Sequence, residues 1–131
     1  MVAIDPSNQA YEENYRTIIS ATTPRPIGWI STVSSDGIDN LAPFSHFNNL
    51  CPSPPVVMFS TGVGDDDELK DTARNALDTG EFVVNVVTEA LADQMNRTAD
   101  EIPSEESEFD CANVTRAESD RSHRLALLNR L

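Results

Sequence analysis

The stretch "TTPRPIGWISTVSSDG", residues 22–37, decides how the rest of the chain is read. Pro24 and Pro26 each hold φ near about −65° and remove a backbone donor. Each also pushes the residue before it, Thr23 and Arg25, out of the helical region. The segment is therefore stiff and extended, and it sets the direction of the residues after it. Ile27 and Trp29 flank Gly28, Ile30, Thr32 and Val33 come next, and Ser-Ser-Asp-Gly closes the run. That pattern predicts a strand over 27–34 running into a tight turn, with Gly37 supplying positive φ. A stiff arm leading into a strand rich in small hydroxyls suits a ligand site, and it suits an ordinary entry into a sheet equally well.

Working outward, residues 38–48 read as a second strand. Pro43 cannot donate to a ladder, so it must lie at an edge, a bulge or a break. Residues 56–61 read as a third strand, entered through the proline-rich corner "CPSPP". The densest β pattern is "FVVNVVT", 82–88, interrupted only by Asn85. Helices are expected at 7–19, with Tyr11, Tyr15 and Ile18 on one face, at 72–77 behind an Asp71 N-cap and ahead of a Gly80 stop, and at 89–98. Residues 99–107 read as an exposed acidic loop, and 108–110 as the start of another strand. The tail 113–131 carries no strand pattern. The fold class is mainly β with short helices, its strands antiparallel rather than built from βαβ units.

A chain of 131 residues is expected to form a single domain, 1–131. No apolar run approaches the roughly 18–20 residues of a membrane span. The opening Met-Val-Ala-Ile-Asp-Pro lacks a signal pattern, so a soluble cytoplasmic protein is expected. Cys51 and Cys111 have no metal-type spacing and read as reduced thiols. Asp and Glu total 22 against nine Lys and Arg, for a formal charge of −13. Such a surface repels nucleic acid and anionic membranes. Eight of the nine bases are arginine, and Lys70 is the one lysine. An acidic, lysine-poor composition resembles that of proteins from salt-loving archaea, where screening tolerates the self-repulsion.

Conventional catalytic constellations are missing from the sequence. Ser45 and His46 are neighbours and would point to opposite faces of a strand. Two histidines and two scattered cysteines do not make a zinc site. The run Asp65-Asp66-Asp67-Glu68 lacks the alternating spacing of a calcium loop. Neither standard nucleotide fingerprint occurs. There is also "LKDT", which sets Lys70 immediately before a helix start, where free N–H groups and the helix dipole favour an anion. The bland alternative is a capping Asp71 beside a solvated lysine. Two further clusters are "NLAPFSHFNN", 40–49, and the group Trp29, Ser31 and Thr32, where the arm meets the sheet.

These three pieces, in this order and spacing, resemble the flavin reductase-like family of FMN-binding split β-barrels, across about residues 15–95. The resemblance implies a flavin pocket lined by the proline arm and first strand through Trp29, Ser31 and Thr32. It implies ring or ribityl contacts from Asn40, Ala42, Ser45 and Asn48, phosphate contacts from Lys70, Asp71 and Thr72, and a role for Asn85 at the polar break of its strand. FMN is the implied cofactor, with FAD as the alternative and NAD(P)H as a transient hydride donor. No metal and no catalytic acid or base is implied, because hydride transfer to flavin needs neither. A homodimer and an oxygenase component are the implied partners. A flavin carrier without turnover, or an inactive fragment, are the competing readings. Four strands are legible where the family's barrel has more. The barrel is therefore expected to be incomplete at the C-terminus, through either a shortened reading frame or a covering partner subunit.

Overall fold

The computed structural model describes residues 3–62, 68–119 and 125–127. Asp65, Asp66 and Asp67 of the acidic run, and His123 of the tail, lie outside the described residues. The decisive stretch forms β1 (Gly28–Val33), which is almost wholly buried. It turns at Ser34–Gly37, where the Gly37 N–H donates to Ser34 O at 3.1 Å and Gly37 takes φ 86°. The chain returns as β2 (Asp39–Phe44), antiparallel to β1, with Ser31 opposite Leu41 and Trp29 opposite Pro43. β5 (Val83–Asn85) pairs with the other edge of β1, giving the order β2–β1–β5. The ladders among the described residues are antiparallel, as expected, but β5 joins β1 rather than extending a simple meander.

The second predicted strand divides. Ser45 and His46 bend the chain, and β3 (Phe47–Pro52) leaves to pair with β4 (Pro55–Phe59) in a separate hairpin with a register shift between Asn49 and Cys51. Pro43 sits on an edge strand, and the ladder explains why it is tolerated. The Leu41 N–H turns away from β1 and donates to the Glu108 carboxylate at 3.0 Å. Pro43, two residues on, has its nitrogen on that same outer side, where the sheet demands no donor. The two sheets meet where the Phe47 ring covers Gly28, so closely that a Cβ there would lie 2.5 Å from the ring.

Alternation along β1 sorts the sheet's two faces. Trp29 and Leu41 join Phe109, Ala112 and Val114 in the core, with Val87, Leu91 and Met95 packed against them. The other face carries Thr32 and Asn40 and is covered by α2 (Asp71–Thr79). α3 (Ala92–Arg97), entered through a 3-10 turn at Glu89–Leu91, and α4 (Glu108–Cys111) lie on the Trp29 side.

Several expectations are corrected. Residues 108–110 begin a helix, because Ser107 O accepts the N–H groups of Asp110 and Cys111 and two acids suit a first turn. The tail contains strands: β6 (Arg116–Glu118) pairs with β7 (Leu125–Leu127), and Val114 belongs to the core. α1 (Tyr11–Ala21) forms where a helix was expected, yet it buries no residue. Tyr11, Tyr15 and Ile18 stay 76%, 43% and 60% exposed, with Tyr15 resting beside the His46 ring. Asp71 is the first residue of α2 rather than its cap. Lys70 holds the cap position and its carbonyl accepts from Ala73 and Arg74, while the Asp71 carboxylate pairs with the Arg74 guanidinium. The expected lack of barrel closure is seen: among the described residues the strands form three separate sheets.

Candidate functional site

The free edge of β2 forms the floor of a cleft of about 360 Å³. One wall is the start of α2, with Lys70, Asp71, Thr72 and Arg74. The other is the connection from α3 to α4, with Thr98, Ala99, Asp100, Glu101 and Ile102, and Glu108 closes one end. The sequence makes this arrangement in steps. Asn40 on β2 faces α2, and its Nδ2 donates to Thr72 Oγ1 at 2.8 Å. One helical turn on, Asn75 Nδ2 donates to Thr32 Oγ1 at 3.2 Å. Both amides are buried. These bonds fix the start of α2 against the sheet, and with it the position of Lys70.

Five of the residues singled out in the sequence line this cleft together: Asn40, Ala42, Lys70, Asp71 and Thr72. Four others stand behind its wall. Trp29 is fully buried, and its Nε1–H donates to Thr98 Oγ1 at 2.8 Å, holding the far wall to the sheet. Asn85 Nδ2 donates at 3.0 Å to both Trp29 O and Ser31 Oγ, bridging β5 and β1. Thr32 is the fourth, tying β1 to α2 through Asn75. Ser45 lies at the bend between the sheets, and Asn48 is exposed on β3, where its Oδ1 accepts the Asn49 N–H at 2.9 Å. Neither lines the cleft. The arginine between the two prolines finds its use outside it. Arg25 Nη1 and Thr23 Oγ1 each donate at 3.1 Å to Ile19 O, closing the C-terminal end of α1.

The cleft's electrostatics are mixed. Lys70 Nζ lies 3.5 Å from Glu101 Oε1, with both side chains at the rim. Glu108 is partly buried, and that burial pushes its carboxyl above the ordinary glutamate range despite the Leu41 N–H. Asp71 and Asp39 add to the push. Next to it, Arg116 binds Asp39, Asp110 and the Ser107 hydroxyl and lies over the Phe109 ring at 5.0 Å. The Arg116 guanidinium holds the Asp110 carboxyl below its usual range. Among the described residues no cluster of His, Cys, Asp and Glu is fit to hold a metal ion.

Sequence reasoning missed Arg74, Glu101 and Glu108. Arg74 was legible as a partner three residues after Asp71. Glu101 and Glu108 come from a stretch read only as acidic loop and strand, and nothing local says that α4 folds back onto β2.

A model of the flavin reductase like domain matches residues 20–129. The chain belongs to the flavin reductase-like family. Relatives and solved structures also match the chain. An uncharacterized protein of Aquifex aeolicus is 50% identical over 101 residues, covering 77% of this chain and 52% of its own length. The uncharacterized protein BH2278 of Halalkalibacterium halodurans is 42% identical over 117 residues, covering 89% of this chain and 56% of that protein. The chain thus spans about half the length of these curated relatives. Among solved structures, nitrilotriacetate monooxygenase component B from Bacillus cereus superposes with a TM-score of 0.92 at 34% identity, over 98% of this chain and 63% of that one. The 2-nitrobenzoate 2-nitroreductase NbaA of Pseudomonas fluorescens gives 0.83 at 26% identity, over 98% and 60%. The fold is therefore that of the flavin reductase split barrel, with its sheets unclosed among the described residues. No described helix of this flavin reductase-like chain is long and apolar enough to cross a membrane.

Proposed function

We propose that the cleft along the β2 edge is an FMN site, and that the chain belongs to an NAD(P)H-dependent flavin reductase. FAD is the alternative flavin. The observation that carries this reading is the convergence of Asn40, Ala42, Lys70, Asp71 and Thr72 on one cleft, from segments about 30 residues apart, in a chain of this family. The cleft's residues suit the ligand's parts. Its volume lies within the range of small-molecule sites. Ala42, Pro43, Phe44 and Ile102 offer apolar surface for a planar ring. The start of α2 offers N–H groups without intrahelical partners, the Thr72 hydroxyl and the Lys70 ammonium for a phosphate.

A bound flavin would supply the two-electron redox chemistry. The protein's work is to hold and orient it. Lys70 gives a point charge for the phosphate, and Asn40 fixes the Thr72 hydroxyl. The amide-tied wall made by Thr32, Asn75, Ser31 and Asn85 keeps that geometry rigid behind them. Ser45 and Asn48, which do not line the cleft in a single chain, would take part from a second subunit under this proposal. A homodimer belongs to this proposal, supported by the exposed Leu50, Val56, Val57 and Met58 of the β3–β4 hairpin. So does an oxygenase partner, supported by the likeness to nitrilotriacetate monooxygenase component B.

The test is reconstitution of the purified chain with FMN, then desalting and addition of NADH. Retained flavin colour and NADH oxidation that rises with added FMN are expected. Retention without oxidation would reduce the protein to a flavin-binding module, and failure to retain flavin would remove the site.

A further inference from the structure

The rim of the cleft carries one ion pair that joins its two walls. Lys70 enters from the start of α2, and Glu101 from the connection between α3 and α4. Their charged atoms are 3.5 Å apart, the Lys70 side chain is 44% exposed and that of Glu101 85%. Glu101 is the one charged partner of Lys70 among the described residues. The α2 wall is fixed by buried amide–hydroxyl bonds, and Thr98, three residues before Glu101, is fixed by the Trp29 indole. The contact therefore joins a wall held to the sheet at Asn40 and Thr32 with one held to it at Trp29, and it sets a carboxylate beside the cleft cation that, unlike Arg74, has no carboxylate of its own helix as partner.

We propose that Glu101 is a specificity-determining residue of the cleft, a built-in anion that occupies Lys70 and penalises ligands in proportion to the negative charge they bring there. This rests on the reading of the cleft as a flavin site. A flavin with a phosphomonoester brings close to two negative charges to that spot. One without a phosphate brings none. An incoming phosphate must displace Glu101 from Lys70 or sit within a few ångströms of a like charge, at a site facing water. At such a separation and dielectric the penalty corresponds to about fivefold in affinity. It fades in molar salt, where screening acts over roughly 3 Å. Because the pair is solvent-exposed, Glu101 tunes the preference between ligands and does not abolish binding.

The experiment titrates wild type, E101Q, K70A and the double variant with FMN and with riboflavin, using flavin fluorescence, at low salt and at molar salt. E101Q is expected to tighten FMN about fivefold at low salt, to leave riboflavin unchanged, and to lose most of its gain in molar salt. The gain should shrink in the K70A background, where nothing holds Glu101 in place. An equal change for both flavins, or a gain undiminished by K70A, would overturn the proposal while leaving the flavin site standing. Wild type that binds neither flavin would overturn the site itself and the proposal with it.

Discussion

At the scale of single residues, the positions that matter divide by what their polar atoms already do. The hydroxyls and amides of Ser31, Thr32, Asn75 and Asn85 bond to one another or to the backbone inside the protein. Among the described residues the Lys70 ammonium meets only the exposed Glu101. Lys70→Ala is therefore expected to weaken FMN about tenfold or more, by the loss of a charge-assisted contact, and riboflavin little. Parallel titrations with the two flavins check this, and equal losses would separate Lys70 from the phosphate. Thr98→Val makes the opposite kind of change. It removes the acceptor of a fully buried indole N–H and should cost about 1–3 kcal/mol of stability. Urea denaturation measures that loss, and a variant as stable as wild type would show that the Trp29–Thr98 bond contributes nothing net.

At the scale of elements, α4 is the piece most worth perturbing. It has four residues, yet it places Glu108 on the β2 edge and Phe109 in the core. The Glu108 carboxyl is raised in the folded state, chiefly by burial. The folded chain therefore holds this proton more tightly than the unfolded chain does. Its contribution to stability is full below the ordinary glutamate value and is lost as pH rises through the raised one. Glu108→Gln keeps an acceptor for Leu41 N–H and does not titrate. It should accordingly gain stability relative to wild type as pH climbs from about 4.5 upward. Melts of both proteins across mildly acidic pH read the difference, and parallel curves would mean that Glu108 is not perturbed. The same element marks the limit of local sequence patterns. β1 was legible because prolines, alternation and a Ser-Ser-Asp-Gly turn all act locally. So was α2, one residue out at its cap. α4 and β6 were not, because what fixes them is long-range. Leu41 meets Glu108, and Asp39 meets Arg116, across 67 and 77 residues. The cleft was half legible for the same reason: its α2 wall lies in a motif, and its α3–α4 wall comes from an acidic stretch with no pattern.

At the scale of the whole molecule, a formal charge of −13 acts on everything at once. Acidic side chains crowd the cleft rim and the neighbouring hollow lined by Asp36, Asp78, Glu105 and Glu106. Molar potassium or sodium chloride should therefore raise the melting temperature by several degrees, through screening of that repulsion. A flat or falling melting temperature would argue against adaptation to salt. The same measurement in sodium sulfate separates screening from general salting-out, which strengthens burial whatever the charge.

The three buried amide-to-hydroxyl links Asn40–Thr72, Asn75–Thr32 and Asn85–Ser31 contain no ionisable group. Changes of pH and salt act on the cleft's charged lip and on Glu108 at its end, and these three links carry no charge for them to act on. Under the proposed flavin site, affinity can follow the medium through Lys70 and Glu101, while the amide ties of the α2 wall do not.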